Sequence, residues 1–235
     1  MKIDRWCKIV QSAIVGPRCV LCRAPAPLDP AICSGCRAEL PWLDRACAGC
    51  ALPLPGDAQT THCRHCRPTP RFEHAVAAFH YDEPARWLIA RLKFNGALAH
   101  ARVLGDLLGT RIAGATPESE RPDALVPVPL HPAGLRRRGF NQATLIAERL
   151  AQALDRPVTP RAAARVRDTP PQRELPAGSR AANVRGAFAC RGPSPAAHVA
   201  IVDDVVTTTR TAAALADALR RAGAQRITLY CVARA

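Results

Sequence analysis

Eight cysteines stand in four C-x-x-C pairs: Cys19 with Cys22, Cys33 with Cys36, Cys47 with Cys50, and Cys63 with Cys66. A C-x-x-C turn aims two sulfurs at one centre, and two such turns complete a tetrahedral Zn–S4 site with no open position. Four pairs therefore predict two Zn2+ sites, and pairing in chain order (19/22 with 33/36, then 47/50 with 63/66) is favoured over an interleaved arrangement. Gly35 and Gly49 lie inside their turns, where a backbone free to take positive φ would help N–H groups face sulfur. A redox role fits less well, because these pairs lie in a Pro-rich segment without the strand–helix frame of a thioredoxin motif. Closed sites exclude a catalytic water, so the zinc is expected to be structural, contributing about 10–16 kcal/mol of apparent binding free energy to folding. His62 and His65 are spectators on this reading, since four sulfurs already suffice. Cys7, Cys190 and Cys231 fall outside the pattern, and Cys231 reads as a small apolar residue of a buried strand.

The second constellation is Val199–Thr211, VAIVDDVVTTTRT. An apolar strand ends in Asp203-Asp204, and a hydroxyl-rich turn leads straight into an Ala-rich helix. In α/β proteins such a loop lies at the carboxyl end of a strand, where ligands bind. The helix N-terminus offers unpaired N–H groups and the positive end of the dipole, suited to a phosphate monoester. Thr207, Thr208, Thr209 and Thr211 add hydroxyls, and the two carboxylates suit vicinal ribose hydroxyls or water-bridged Mg2+. The plainer alternative is that the aspartates only cap the helix, which would account for one acid but not for a pair followed by four threonines.

These groups need a frame. Residues 3–15 place Ile3, Trp6, Ile9, Val10, Ala13 and Ile14 at helical spacing, so 1–17 is read as an amphipathic N-terminal helix. Residues 18–70 hold the eight paired cysteines with few large apolar residues, too little core without a metal staple. From 71 onward, strands (74–81, 124–129, 198–203, 226–232) alternate with helices (84–94, 97–113, 141–154, 211–222), around an irregular Arg/Pro-rich stretch at 156–197. That alternation predicts an α/β fold with a parallel, doubly wound sheet. Pro127 and Pro129 belong at the carboxyl end of their strand. With 235 residues, 33 Lys+Arg, 19 Asp+Glu and 4% aromatics, the formal charge is +14, falling to +10 if eight thiolates hold two Zn2+. Basicity of this size suits polyanions or phosphorylated small molecules, although 30 of the 33 cations are Arg, which compositional bias alone would explain. No run approaches the roughly 20 apolar residues of a spanning helix, and the N-terminus lacks a signal-peptide core. A cytoplasmic protein is expected.

The segment around Asp203-Asp204 resembles the PRPP-binding motif of type I phosphoribosyltransferases. Together with the four C-x-x-C pairs, Arg91-Leu-Lys-Phe94, Leu125-Val-Pro-Val-Pro-Leu130, Arg138-Gly-Phe-Asn-Gln142, Thr169-Pro-Pro-Gln172 and Asn183-Val-Arg-Gly-Ala-Phe188, the chain resembles the ComF family. That family joins a double zinc ribbon to a type I phosphoribosyltransferase core and includes competence proteins. The resemblance implies PRPP with Mg2+ at Asp203, Asp204, Val205, Thr207, Thr208, Thr209, Arg210 and Thr211. It places Arg136, Arg137 and Arg138 in the loop 130–138 facing pyrophosphate, and Arg173 and Arg180 in a mobile lid across 165–187. It also implies single-stranded DNA and DNA-uptake proteins as partners in natural transformation. One departure stands out: where such loops usually carry Gly, and then Ser or Asn, this chain has Thr209 and Arg210, so catalytic turnover is in question while ligand binding is expected.

Two function classes therefore compete, a PRPP-dependent transferase acting on a nitrogen nucleophile and a nucleic-acid-handling module that uses PRPP as ligand. Between 156 and 197 the only aromatic is Phe188, which argues against base stacking there, and Trp42 is the expected substitute. The last strand, at 226–232, leaves no C-terminal hood over an acceptor base, so the ribbon and the helices at 84–113 are expected to close the site. Weak turnover of nucleobases follows, with salt-sensitive binding of single-stranded DNA in the groove between ribbon and core.

Overall fold

A computed structural model describes residues 16–56, 59–167 and 186–235. The expected N-terminal helix, Cys7, Arg173, Arg180 and the segments 169–172 and 183–185 lie outside the described residues. The main sheet is wholly parallel and has the order β1 (Ala75–His80), β6 (Arg226–Arg234), β5 (His198–Val206), β2 (Ala124–Pro127). Its strands are nearly continuous apolar runs because both faces are covered. On one face lie α2 (Ala85–Asn95), α3 (Ala99–Ala115) and α5 (Gln142–Leu154), which bury Leu88, Leu92, Leu104, Leu108, Ile146 and Leu150 against Ala200, Val202, Tyr230 and Val232. On the other, α6 (Arg210–Arg221) packs Leu215 and Leu219 on Ile201 and Leu229. The doubly wound expectation is met. Pro127 ends β2 on the sheet edge, where its missing N–H costs no central ladder bond.

Two local features differ from what the sequence predicts. The segment 130–138 is not an open loop: α4 (Pro132–Arg138) begins with His131 capping the Ala133 N–H and Pro132 in the first turn, and ends at Gly139 with φ 82°. The irregular stretch contains a short antiparallel pair, β3 (Ala163–Arg165) with β4 (Phe188–Cys190), three residues each and too brief to show a period. The cysteine-rich segment, which carries the short helix α1 (Ser34–Ala38), packs on the sheet and its helices. Cys19, Ile32 and Leu40 belong to the same buried cluster as α2, α3 and α5, and the Leu43 N–H donates to Ala78 O at 2.9 Å while His80 N–H donates to Pro41 O at 2.9 Å, extending the sheet beyond β1. Arg149 of α5 ties the layers together, gripping Asp106 of α3 at 2.5 Å and Asp29 of the cysteine-rich segment at 3.1 Å.

Candidate functional site

The eight cysteines gather in two tetrads, Cys19/Cys22/Cys33/Cys36 and Cys47/Cys50/Cys63/Cys66, each with its four sulfurs within 4.8 Å of one another. This is the pairing in chain order. Sulfurs 3.6 Å apart (Cys22 and Cys33) and 3.7 Å apart (Cys50 and Cys63) are too distant for a disulfide and match the edge of about 3.8 Å that a tetrahedron with 2.3 Å Zn–S bonds requires. Backbone N–H groups already face sulfur, Cys36 N to Cys33 Sγ at 3.5 Å and Cys63 N to Cys47 Sγ at 3.2 Å. The tetrads fit two structural zinc ions, and His62 and His65 belong to neither. The expected reason for the glycines does not hold: Gly35 and Gly49 lack positive φ. Gly49 is needed for space, since a Cβ there would meet Cys66 Cβ at 3.1 Å and Pro70 Cβ at 3.2 Å.

At the carboxyl edge of the sheet the two aspartates part company. Successive side chains of a strand face opposite ways, and Ala200 and Val202 belong to the α2/α3/α5 face while Val199 and Ile201 belong to the α6 face. Asp204 follows the first set. It is 3% exposed and pairs with Lys93 at the last turn of α2, Nζ to Oδ2 at 2.5 Å. Asp203 lies in register with Cys231, and its Oδ1 accepts the Asp204 N–H at 2.9 Å. Burial, and then the neighbouring Asp204 carboxylate, push the Asp203 carboxyl well above the usual carboxylate range, against the opposing pull of Lys93. Cys231 is fully buried and its thiol is pushed up by burial and then by Asp203, so it acts as core. Beyond β5, Thr207–Thr209 leads into α6 and borders a cleft of about 450 Å3 whose opposite wall is the second tetrad, with Cys50, Cys63, Cys66, His65 and Arg71.

A double zinc ribbon family matches residues 10–67. Competence protein F of Haemophilus influenzae is 37% identical over 180 residues, 74% of this chain and 79% of that protein. DNA utilization protein YhgH of Salmonella typhimurium is 34% identical over 220 residues, 92% of this chain and 96% of the relative. The chain belongs to the ComF family. A purine phosphoribosyltransferase from Pyrococcus horikoshii shares 19% identity, with a TM-score of 0.35 over 57% of this chain and 72% of its own.

Within this ComF chain the expected site residues that lie among the described ones come from two places, the end of β5 with its threonine loop and helix α4. Asp203, Asp204, Val205 and the Thr207–Thr211 loop are contiguous at the sheet edge. Of the three arginines of α4, Arg136 and Arg137 are exposed, whereas Arg138 is half-buried, contacts Gln142, and lies with its guanidinium 5.9 Å from the Phe94 ring. Burial lowers the Arg138 pKa and the field of Asp204 opposes that shift, which places this arginine in the field of that carboxylate. Thr209 sits at φ −64°, ψ 4° as the N-cap position of α6, a conformation any residue adopts, so the loop has no need of Gly in this state. Trp42, expected as a stacking surface, is used in packing: its ring lies 4.7 Å from Phe79 and its Nε1–H donates to Arg37 O at 2.9 Å. Asn141 caps α5 through the Ala143 N–H and donates to Val128 O at 2.9 Å, holding α5 to the end of β2.

Two residues of the site carried no role in the sequence reading. Lys93 stands within Arg91-Leu-Lys-Phe94, and composition marks it: among 33 cations it is the one lysine after residue 8. Arg234 is 6% exposed and donates to Cys50 O at 3.1 Å, Val206 O at 2.9 Å and Thr207 O at 2.5 Å. One guanidinium thus joins the second tetrad to the threonine loop. No local pattern distinguishes it from the other arginines, because its partners are carbonyls distant in sequence.

Proposed function

We propose that this ComF protein binds PRPP with Mg2+ at the carboxyl edge of its sheet and handles single-stranded DNA on the cytoplasmic side of a DNA-uptake system. One observation carries the PRPP reading: β5 delivers Asp203-Asp204 to the sheet edge and continues without interruption through Thr207–Thr209 into the N-terminus of the 12-residue α6. The N–H groups and hydroxyls there suit a 5-phosphate. The half-buried Asp203 carboxyl suits ribose hydroxyls or hydrated Mg2+, and Arg138 suits the pyrophosphate. Arg136 and Arg137 on the exposed turn of α4 extend the positive surface outward. The DNA reading is supported by the net charge, still +10 once eight thiolates hold two Zn2+, and by relatives named for competence and DNA utilization.

The test is calorimetric titration with PRPP, with and without Mg2+. Asp203→Asn with Asp204→Asn is expected to abolish the Mg2+-dependent affinity, and undiminished binding would move the site elsewhere. A second reading, transfer of ribose 5-phosphate, is favoured by the unstrained Thr209. In that reaction a nitrogen nucleophile forms a bond to ribose C1 as the C1–O bond breaks, and the electron pair leaves on Mg2+-bound pyrophosphate. Pyrophosphate release in the presence of a candidate acceptor measures it. Since Thr209 already adopts an ordinary conformation, Thr209→Gly is expected to leave binding and release unimproved.

A further inference from the structure

The outer face of α2 is unusual for this chain. The helix buries Ala85, Leu88, Ile89 and Leu92 and turns Trp87, Arg91 and Phe94 outward, at i, i+4 and i+7, which is one stripe of an α-helix. Phe94 is 77% exposed and Trp87 is 40% exposed, in a chain with only 4% aromatic residues. Each ring carries a guanidinium: Arg91 lies 5.6 Å from the Trp87 centroid and Arg138 lies 5.9 Å from Phe94. Trp87 is further fixed edge-on by His100, 5.7 Å away. The two rings lie about 10 Å apart along the helix axis at 1.5 Å per residue. The stripe runs to the carboxylate site, since Lys93, beside Phe94 in sequence, holds Asp204.

Resting on the single-stranded DNA reading, we infer that this face of α2 is where the strand is held, with bases stacked on Phe94 and Trp87 and phosphates met by Arg91. Rings interleaved with cations that track a backbone are the recurring solution for single strands, because every base has a π face whatever its sequence. The groove between ribbon and core is less suited to bases: its one large aromatic, Phe72, is 1% exposed. It suits phosphate, leaving base contact to α2. A protein partner would also cover exposed rings, but the guanidinium beside each ring favours a polyanion that carries its own flat groups.

The experiment compares a fluorescent oligo-dT with an abasic oligomer of the same length, at low salt, on the full chain. The wild type should prefer oligo-dT. Trp87→Ala with Phe94→Ala should weaken oligo-dT about 10- to 100-fold and leave the abasic oligomer unchanged, while Trp87→Phe with Phe94→Tyr keeps the preference. Equal affinity of the wild type for both oligomers, or unchanged oligo-dT binding by the alanine variant, overturns the inference alone and assigns the face to a protein partner. No binding of either oligomer by the wild type overturns the single-strand reading together with the inference.

Discussion

Replacing Lys93 by Met tests whether the ion pair at the sheet edge holds the site together. The Lys93 side chain is 20% exposed and that of Asp204 4%, with 2.5 Å between Nζ and Oδ2. Removing one partner of a buried pair costs about 3–5 kcal/mol because the other charge is left uncompensated. Arg138 remains in the field of Asp204, so the lower end applies, about 3 kcal/mol, or about 6–12 °C in Tm for a body of this size. The loss should depend on pH in a definite direction. Lys93 opposes the rise of the Asp203 carboxyl, so its removal raises the folded-state pKa of Asp203 further. A raised folded pKa contributes stability that is fully present below the unfolded value, about 3.9, and is lost as pH rises through the folded value. The gap between wild type and variant should therefore be widest at pH 7.5 and narrower at pH 5. Thermal melts at both values measure it, and the same substitution in an Asp204→Asn background completes a double-mutant cycle. A Tm shift under about 2 °C at pH 7.5, or an undiminished loss in the Asp204→Asn background, would refute the argument.

Elemental analysis should find two zinc ions per chain, and Cys63→Ser should retain one, because the tetrads share no ligand. Asp203→Asn alone should stabilise the ligand-free protein at neutral pH while weakening Mg2+–PRPP binding: it removes a carboxyl that burial and Asp204 push well up, and denaturant melts beside calorimetry check both halves. Gly105→Ala should destabilise by about 1–3 kcal/mol, since its Cβ would meet Arg149 Cβ at 2.8 Å and Ile146 O at 3.1 Å. Gly114→Ala in the same helix, with open space around it, should be neutral or stabilising by up to about 1 kcal/mol in the same melts.

What was legible in the sequence was what is local. The C-x-x-C spacing announces each half-site, and strand–helix alternation with apolar runs announces a parallel sheet covered on both faces. The Asp203-Asp204 and threonine segment could be placed at a carboxyl edge for the same reason. What escaped depends on distant chain segments meeting. Lys93 and Asp204 are far apart in sequence, and only the meeting of the last turn of α2 with the end of β5 makes them a pair. The difference between the two aspartates follows from the strand pleat, which a sequence reading treats as mere adjacency. Helix α4 reads as a loop in sequence because its seven residues offer no apolar period, only a proline start and a glycine stop. In the cysteine-rich segment the few buried residues, Cys19, Ile32 and Leu40, join a cluster built mostly by the body, a contact that no local pattern announces.

The placement of β6 between β1 and β5 governs when the site can exist during synthesis. β1 and α2, which carry Lys93, emerge well before β5 and Asp204, and neither β1 nor β5 has the other as a neighbour. They are joined only when Arg226–Arg234 slides between them and pairs with both. Until that strand leaves the ribosome, the nascent chain displays two open strand edges, the kind of surface that invites mispairing. Both cysteine tetrads, complete by residue 66, close over short sequence separations and can take up metal long before then. The same late strand delivers Arg234 to Cys50 and Thr207. Completion of the sheet, closure of the acid–lysine pair and anchoring of the threonine loop are therefore one late event, and a nascent chain arrested short of it carries ribbons without the assembled sheet edge.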